Sequence, residues 1–293
     1  MTIWRWLAAG VVVMLGIVIA ILATQIPVLG AAVLLHPSRR LASAMPESCR
    51  DATFAGVGVE LKGWTCAAST VRRGTVVYLH GVADSRGSAA GVIGRFVARG
   101  FDVVAYDSRA HGDSDGTVCT YGFLETRDLR AVLDTIEPGP IVLLGTSLGA
   151  AVALQHAAED ARVSTVVAAE TFSDLRTVAA ERAPFFFTRA LIARAFQIAE
   201  RHGRFQIDAV SPVLAAAQIT APVLLIHGEN DTDTSPDHSR RVFAALRGPK
   251  RLLIVPGAAH NGSLRSEVWD EVERWIDNVV AGERLGLVRP PAL

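Results

Sequence analysis

The stretch IVLLGTSLGAAVAL, residues 141–154, decides how the rest of the chain is interpreted. An apolar run typical of a buried strand, 141–144, is followed at once by an alanine-rich run typical of a helix. A strand that turns this sharply into a helix can hold one serine in a strained backbone and present its hydroxyl to a cleft. Ser147 is therefore the candidate nucleophile, and Gly145 and Gly149 remove Cβ atoms that would clash in so tight a turn.

Strand-like and helical patterns alternate from residue 49 to residue 280, which predicts an α/β fold with a mostly parallel sheet covered by helices. Strands are expected near 57–66, 75–79, 101–106, 141–144, 163–169, 221–226 and 251–255, and helices near 88–99, 123–136, 237–246 and 266–280. Between these, residues 172–218 are helical in pattern and are expected to form a small lid, with a crossover helix and a long loop as the alternative. The tail after Gly282 is expected to be loose.

The amino-terminal segment predicts a membrane anchor. Residues 6–35 carry no charged side chain, and about 20 apolar residues in helix cross a bilayer. Because Pro27 interrupts this run, the spanning helix is expected to extend from Trp6 to about Ile26. We expect residues 1–40 to be anchor and linker, and residues 41–293 to be one catalytic domain.

A cleaved signal peptide is the alternative interpretation of this segment. The apolar run exceeds the usual 7–15 residues of a signal core, and the sequence at 28–30 is a poor cleavage site. We therefore expect a single-pass membrane protein whose anchor contacts lipid. Arg39, Arg40 and Arg50 favour a cytoplasmic catalytic domain by the positive-inside rule, but Arg5 lies on the other side and leaves the orientation open.

Charge and cysteine content exclude several classes of site. The chain has 29 basic and 29 acidic residues, interspersed, so no basic surface for nucleic acid is expected. Cys49, Cys66 and Cys119 show no metal-ligand spacing, and neither a metal nor an organic cofactor is expected. Buried free thiols are expected at these positions, because free cysteine packs as a small hydrophobe, with a Cys49–Cys66 bridge as the alternative in an exported domain.

Polar residues that follow the predicted strands are the candidates for the site, because open α/β sheets bind ligands at the carboxyl ends of their strands. Asp231 follows the strand at 221–226, and His260 follows the strand at 251–255. Asp231 could orient His260, which could deprotonate Ser147. The backbone N–H groups of Val82 and Leu148 are expected to form the oxyanion hole.

The residues 80–81, 106–114, 145–149, 227–231 and 256–260, and the order serine, acid, histidine, resemble the α/β-hydrolase superfamily over nearly all of residues 50–280. Within it the chain is most similar to small membrane-anchored or peptidase-like serine esterases. The resemblance implies a Ser-His-Asp triad, an acyl-enzyme intermediate, a small-molecule acyl substrate and no cofactor. Two positions depart from the usual pattern: Ala110 replaces a glycine, and Ser235 replaces a proline.

Some assignments keep alternatives. Glu170 and Asp233 are rival acids, and residues 185–187, three phenylalanines, predict either an apolar acyl pocket or core packing. The other histidines are expected to be structural or surface residues: His36, His80, His111, His156, His202, His227 and His238. Cleavage of carboxylic esters is the expected activity; a serine peptidase, an acyltransferase and a non-catalytic membrane-anchored binding protein are the alternatives.

Overall fold

A computed structural model describes residues 2–282 of the chain, and its centre is an eight-stranded sheet. The tail after Gly282, which was expected to be loose, lies outside the described residues. The strands are β1 Cys49–Gly56, β2 Val59–Cys66, β3 Gly74–Leu79, β4 Phe101–Tyr106, β5 Ile141–Thr146, β6 Val163–Ala169, β7 Val223–Gly228 and β8 Lys250–Val255. The predicted mostly parallel sheet is confirmed.

The strand order is β1-β2-β4-β3-β5-β6-β7-β8. The pairs β1–β2 and β2–β4 are antiparallel, and every pair from β4 across to β8 is parallel. β3 and β7 are buried along their whole length, which explains their continuous apolar sequence. The loops that follow the parallel strands therefore meet along one edge of the sheet.

Helices cover both faces of the sheet. They are α1 Thr2–Leu35, α2 Ala90–Ala98, α3 Glu125–Leu133, α4 Leu148–Ala157, α5 Leu175–Glu181, α6 Arg189–Gly203, α7 Pro212–Ala216, α8 Asp237–Ala245 and α9 Ser266–Val280. Successive residues of β5 point to opposite faces of the sheet. Leu143 packs in the core that includes Val152 of α4. Leu144 packs in the core that includes Phe96 of α2 and Trp269 of α9. This alternation holds the strand between two apolar layers.

β1 and the disulfide correct two expectations. The predicted first strand begins near residue 57, yet β1 and β2 form a hairpin that begins at Cys49. Cys49 faces Cys66 directly in this hairpin, and the two sulfurs are bonded, so the expectation of free thiols at these two positions is wrong. Cys119 is free and buried, as expected.

α1 is longer than predicted, because it continues through Pro27 to Leu35. Proline removes one backbone donor and usually ends or bends a helix, which is why the sequence suggested an end near Ile26. Packing compensates for the lost hydrogen bond: Ala31 and Leu35 are buried in an apolar cluster that includes Phe196 of α6. The carboxyl-terminal turns of α1 are thus part of the folded domain.

Hydrogen bonds fix the segment that follows α1. The Leu35 carbonyl accepts from the Cys119 N–H at 2.8 Å, and the Leu34 carbonyl accepts from the Tyr121 hydroxyl at 3.0 Å. The Arg39 guanidinium donates to four backbone carbonyls, those of His111, Gly112, Ser114 and Gly116. This part of the chain is held against the domain by many contacts.

Candidate active site

Ser147 lies at the junction of β5 and α4, in a backbone conformation that few residues adopt (φ +49°, ψ −111°). A Cβ added to Gly145 would lie 2.4 Å from the carbonyl carbon of Gly149, and one added to Gly149 would lie 2.1 Å from the Leu79 carbonyl oxygen. Neither position accepts a larger residue without movement of the backbone. The two glycines therefore permit the sharp turn that the sequence predicted, with Ser147 at its apex.

Asp231 lies in the loop after β7 and is buried. Its Oδ1 accepts from the N–H groups of Asp233 and Thr234 at 3.0 and 2.8 Å. Burial alone would raise the pKa of this carboxyl, but hydrogen bonds from His227, His260 and Thr234 together lower the pKa well below its ordinary value. Asp231 is therefore ionised at neutral pH.

His260 follows β8 and lies between Asp231 and Ser147. Its Nδ1 is 2.6 Å from Asp231 Oδ2, and its Nε2 is 3.2 Å from Ser147 Oγ. Because Nδ1 faces an ionised carboxylate, it carries the ring proton and leaves the Nε2 lone pair directed at the serine hydroxyl. The three residues that the sequence singled out are thus brought together with the tautomer that a general base needs.

Glu170, the rival acid, lies close to the same imidazole but does not bond to it. Its nearer oxygen is 3.9 Å from His260 Nδ1. Its two oxygens accept instead from the N–H groups of Asn261 and Ser263, at 2.6 and 3.0 Å, on the loop that carries His260. The structure therefore places Glu170 as a buried support for the histidine loop, a role that the sequence did not indicate. Asp233, the other rival, is exposed.

The carboxylates and the imidazole could also be considered as metal ligands. One ligand atom each of Glu170, Asp231 and His260 lie within 4.8 Å of one another. Both oxygens of Glu170 already accept backbone hydrogen bonds, and Asp231 Oδ2 already accepts from His260. The group is a connected hydrogen-bond network in which each carboxylate is already bound to the loop or the ring that carries the histidine.

Val82 and Leu148, the predicted oxyanion donors, both lie near Ser147, since Val82 lines the same cleft and Leu148 follows Ser147 in the chain. Leu148 is the first residue of α4, so its N–H has no partner within the helix. Val82 lines the cleft beside Gly81, at which an added Cβ would lie 3.5 Å from Ser147 Cβ. Their role as donors stays a prediction.

Buried polar contacts hold the loop that contains Val82. His80 accepts from the Ser108 N–H through Nε2 at 3.0 Å and donates through Nδ1 to the Gly81 carbonyl at 2.7 Å. Burial lowers the pKa of His80 and keeps the ring neutral, which suits this pattern. Further along the same loop, Arg86 forms a buried ion pair with Asp107. His80 is thus a structural residue, as expected.

The loop at 106–114 adopts its turn despite the replacement of the usual glycine. Ala110 is buried and has φ +62°, a left-handed conformation that costs an alanine more than a glycine. The next residue, His111, packs edge-on against His80 at 5.1 Å, and burial lowers its pKa to about 4. Ala110 and His111 therefore contribute to the shape of this turn and do not reach Ser147.

A cleft of about 1070 Å³ opens over Ser147 and His260. Its walls carry several charged groups, which the sequence did not reveal because they come from separate loops: Arg40, Asp84, Glu170, Glu181, Arg182 and Asp233. Of the three phenylalanines at 185–187, Phe185 and Phe186 are exposed by 100% and 53%. They form neither the apolar acyl pocket nor the core that the sequence suggested.

Family models match two parts of the chain. A model described as the alpha/beta hydrolase fold matches residues 74–205, and a model described as PhoPQ-activated pathogenicity-related protein matches residues 198–289. Among curated proteins, the uncharacterised protein YfhR of Escherichia coli strain K12 is 26% identical over 239 residues, covering 77% of this chain and 78% of its own. An uncharacterised protein of Mycobacterium tuberculosis is 29% identical over 211 residues, covering 70% and 69%.

Solved structures share the fold. The esterase Pf2001 of Pyrococcus furiosus superposes with a TM-score of 0.65 at 24% identity, covering 84% of this chain and 97% of the esterase. The acylaminoacyl peptidase of Pyrococcus horikoshii gives a TM-score of 0.65 at 15% identity, covering 81% of this chain and 42% of the peptidase. At these identities the likeness establishes the fold, while the chemistry depends on the residues of the site.

Proposed function

Since the chain has the α/β-hydrolase fold, we propose that it is a serine hydrolase of that superfamily that cleaves carboxylic esters. The observation that carries this proposal is the hydrogen-bonded series from Asp231 to His260 to Ser147, with distances of 2.6 and 3.2 Å. A serine hydroxyl is a poor nucleophile at neutral pH, and this arrangement supplies the base that activates it.

In the proposed reaction, His260 Nε2 takes the proton of the Ser147 hydroxyl as Oγ attacks the ester carbonyl. The N–H groups of Val82 and Leu148 stabilise the negative charge that forms on the carbonyl oxygen. The tetrahedral intermediate collapses, the protonated His260 gives its proton to the leaving alkoxide, and the acyl group stays on Ser147. Water then attacks this acyl-enzyme by the same route, which releases the carboxylic acid and restores the serine.

Covalent labelling tests the nucleophile. A fluorophosphonate probe reacts with an activated serine, so we expect it to label the full chain and to lose at least about 99% of that labelling in Ser147→Ala. Ser88→Ala is the matched control, because Ser88 lines the same cleft but bonds to the Tyr78 hydroxyl at 3.1 Å instead of to a histidine. Labelling that survives in Ser147→Ala, or that is absent from the wild type, would exclude this function in favour of a binding protein.

Peptide amides are the second candidate substrate class. Of the four carboxylates in the cleft walls, Asp84 pairs with Arg40, Glu170 accepts from backbone N–H groups and Glu181 bonds to His238, whereas Asp233 is exposed and could meet a cationic group of a peptide substrate. A panel of p-nitrophenyl esters and aminoacyl or peptide amides, assayed with the wild type and Ser147→Ala, separates the classes. Faster turnover of amides than of esters by the wild type would replace the esterase by a peptidase.

We also propose that α1 anchors the protein in a membrane and is not removed. α1 is the one helix in the described residues that is long and apolar enough to span a bilayer. Its packing on the domain begins before residue 30, because Pro27 is buried and a Cβ added to Gly30 would lie 2.9 Å from the Phe187 ring, so cleavage near residue 30 would remove residues that pack against the domain. Disulfides form in oxidising compartments, so the Cys49–Cys66 bond favours a catalytic domain outside the cytoplasm, against the orientation that the arginines suggested.

A further inference from the structure

A second crevice lies between α1 and α6. It encloses about 310 Å³ and is lined by Ala23, Thr24 and Val28 of α1 and by Arg194, Ile198, Arg201 and His202 of α6. The α1 wall is largely apolar, whereas α6 contributes two guanidinium groups. None of these residues lines the cleft above Ser147. The crevice is therefore a separate feature that the proposed reaction does not use.

Within residues 2–282, no carboxylate neutralises the charge of this crevice. Arg194 and Arg201 are exposed, and neither has a carboxylate within 4.0 Å among residues 2–282. α6 contains three arginines and one glutamate, a formal difference of +2. That glutamate, Glu200, accepts a hydrogen bond from the Ile207 N–H at 3.1 Å. Two guanidinium groups without a carboxylate partner favour an anionic ligand, and their planar donors suit phosphate oxygens.

The position of the crevice along α1 matches the surface of a bilayer. A hydrocarbon core about 30 Å thick takes about 20 residues of helix at 1.5 Å per residue. Counted from Trp6, the residue after the charged Arg5, such a span ends at Gln25. Thr24 and Val28, which line the crevice, thus lie at the edge of the hydrocarbon, where lipid phosphate groups are found.

Exposed apolar side chains surround the same end of α1. Leu29 and Val33 of α1 are exposed by 63% and 68%, and Phe185 is fully exposed. The ring of Phe187 lies so close to α1 that a Cβ added to Gly30 would come within 2.9 Å of it. Aromatic side chains at this depth favour the interface between lipid and water, so this face of the domain suits contact with the membrane surface.

We propose that the crevice between α1 and α6 binds the headgroup of an anionic membrane phospholipid, with Arg194 and Arg201 donating to its phosphate oxygens. The site rests on the proposal that α1 spans the membrane, and it is independent of the chemistry at Ser147. Lipid bound there holds α6 and the loop with Phe185 against the bilayer. A net anionic headgroup is preferred over a zwitterionic one, because the crevice supplies only positive charge.

Native mass spectrometry of the full chain in a neutral detergent tests the site, with short-chain phosphatidylglycerol and phosphatidylcholine as the probes. We expect one phosphatidylglycerol to bind at least about fivefold more tightly than phosphatidylcholine. Arg194→Gln and Arg201→Gln should each weaken its binding about fivefold, and the double variant about 25-fold. Arg240→Gln is the matched control, because Arg240 is exposed on α8 and pairs with Asp237, and it should bind as the wild type does.

Equal affinity for the two lipids, or unchanged binding in the double variant, would overturn the proposal. Displacement of phosphatidylglycerol by an equal concentration of inorganic phosphate would also overturn it, because a soluble phosphate would then be the ligand. The double variant should keep its fluorophosphonate labelling, which shows that it is folded. Release of the wild-type chain from membranes by alkaline carbonate would overturn both the anchor and this site. A wild type that binds phosphatidylglycerol but is not labelled by the fluorophosphonate would overturn only the proposed hydrolase.

Discussion

Gly149 is the residue on which the position of Ser147 depends most directly. A Cβ there would lie 2.1 Å from the Leu79 carbonyl oxygen, so Gly149→Ala must move the backbone of β3 or of α4. We expect Gly149→Ala to lower the free energy of unfolding by at least about 2 kcal/mol and to abolish fluorophosphonate labelling. Urea unfolding and the labelling assay measure the two effects.

Gly94→Ala is the matched control for this substitution. Gly94 lies within α2, and an added Cβ there meets no atom within 4 Å. Alanine has the higher helix propensity, so this variant should gain about 0.5–1 kcal/mol and keep its labelling. Equal stability of the two variants would show that the turn at Ser147 is not tightly packed.

The lowered pKa of Asp231 makes the free energy of unfolding depend on pH in the acidic range. Its pKa is lower in the folded chain than in the unfolded chain, so its stabilising effect is complete above the unfolded pKa of about 4. The effect is lost as the pH falls from there toward the folded pKa. We expect the difference in unfolding free energy between the wild type and Asp231→Asn to be larger at pH 6 than at pH 3, as measured by urea unfolding; a constant difference would contradict the lowered pKa.

From the sequence, Asp231 and Glu170 could only be ranked as the carboxylate that orients His260. Asp231 and Glu170 each follow a strand of the parallel sheet, and the strand-end rule admits both. Side-chain direction separates them, because Asp231 Oδ2 is 2.6 Å from His260 Nδ1 and the nearer Glu170 oxygen is 3.9 Å away. The support that Glu170 gives to the histidine loop depends on backbone N–H groups 91 and 93 residues further along the chain, which no local pattern encodes.

α1 shows how a helix can continue through a proline when packing favours it. Leu35 is 1% exposed in a cluster with Phe196 and Phe205, and Leu35→Ala should lower the free energy of unfolding by about 2–5 kcal/mol. Val33 lies about half a helical turn from Leu35, on the exposed side of α1. Val33→Ala should change the free energy of unfolding by less than about 0.5 kcal/mol. Thermal unfolding of the full chain in detergent compares the two. Similar effects would mean that the end of α1 is not part of the core.

The strands that could be predicted are those whose sequence is apolar throughout. β3 and β5 carry continuous apolar runs because both of their faces are covered, and their predicted limits agree with the structure within two residues. β1 was missed, because an edge strand with Arg50 and Asp51 exposed has no such run. The Cys49–Cys66 bond was only the alternative expectation for the same reason, since the direct pairing of the two cysteines is evident only once β1 is recognised.

The disulfide bears on where the whole molecule resides. If the catalytic domain lies outside the cytoplasm, the denatured but unreduced chain should add one maleimide-polyethylene glycol, at Cys119, and three after reduction. A gel-shift assay on protein from native membranes counts the adducts. Cys119→Ser is the control and should add none before reduction and two after it. Three adducts without reduction would mean free thiols and would restore the cytoplasmic orientation.

The attachment of α1 to the domain has a consequence for access to substrates. Leu34, Leu35 and Arg39 are each hydrogen-bonded to the region 111–121, so no free linker separates the apolar part of α1 from the folded domain. If α1 spans the bilayer, this attachment fixes the height of Ser147 above the lipid and the tilt of the domain relative to the membrane. In the proposed esterase, only ester bonds presented at that height would react, and a longer spacer inserted after residue 36 would change which ones are within reach.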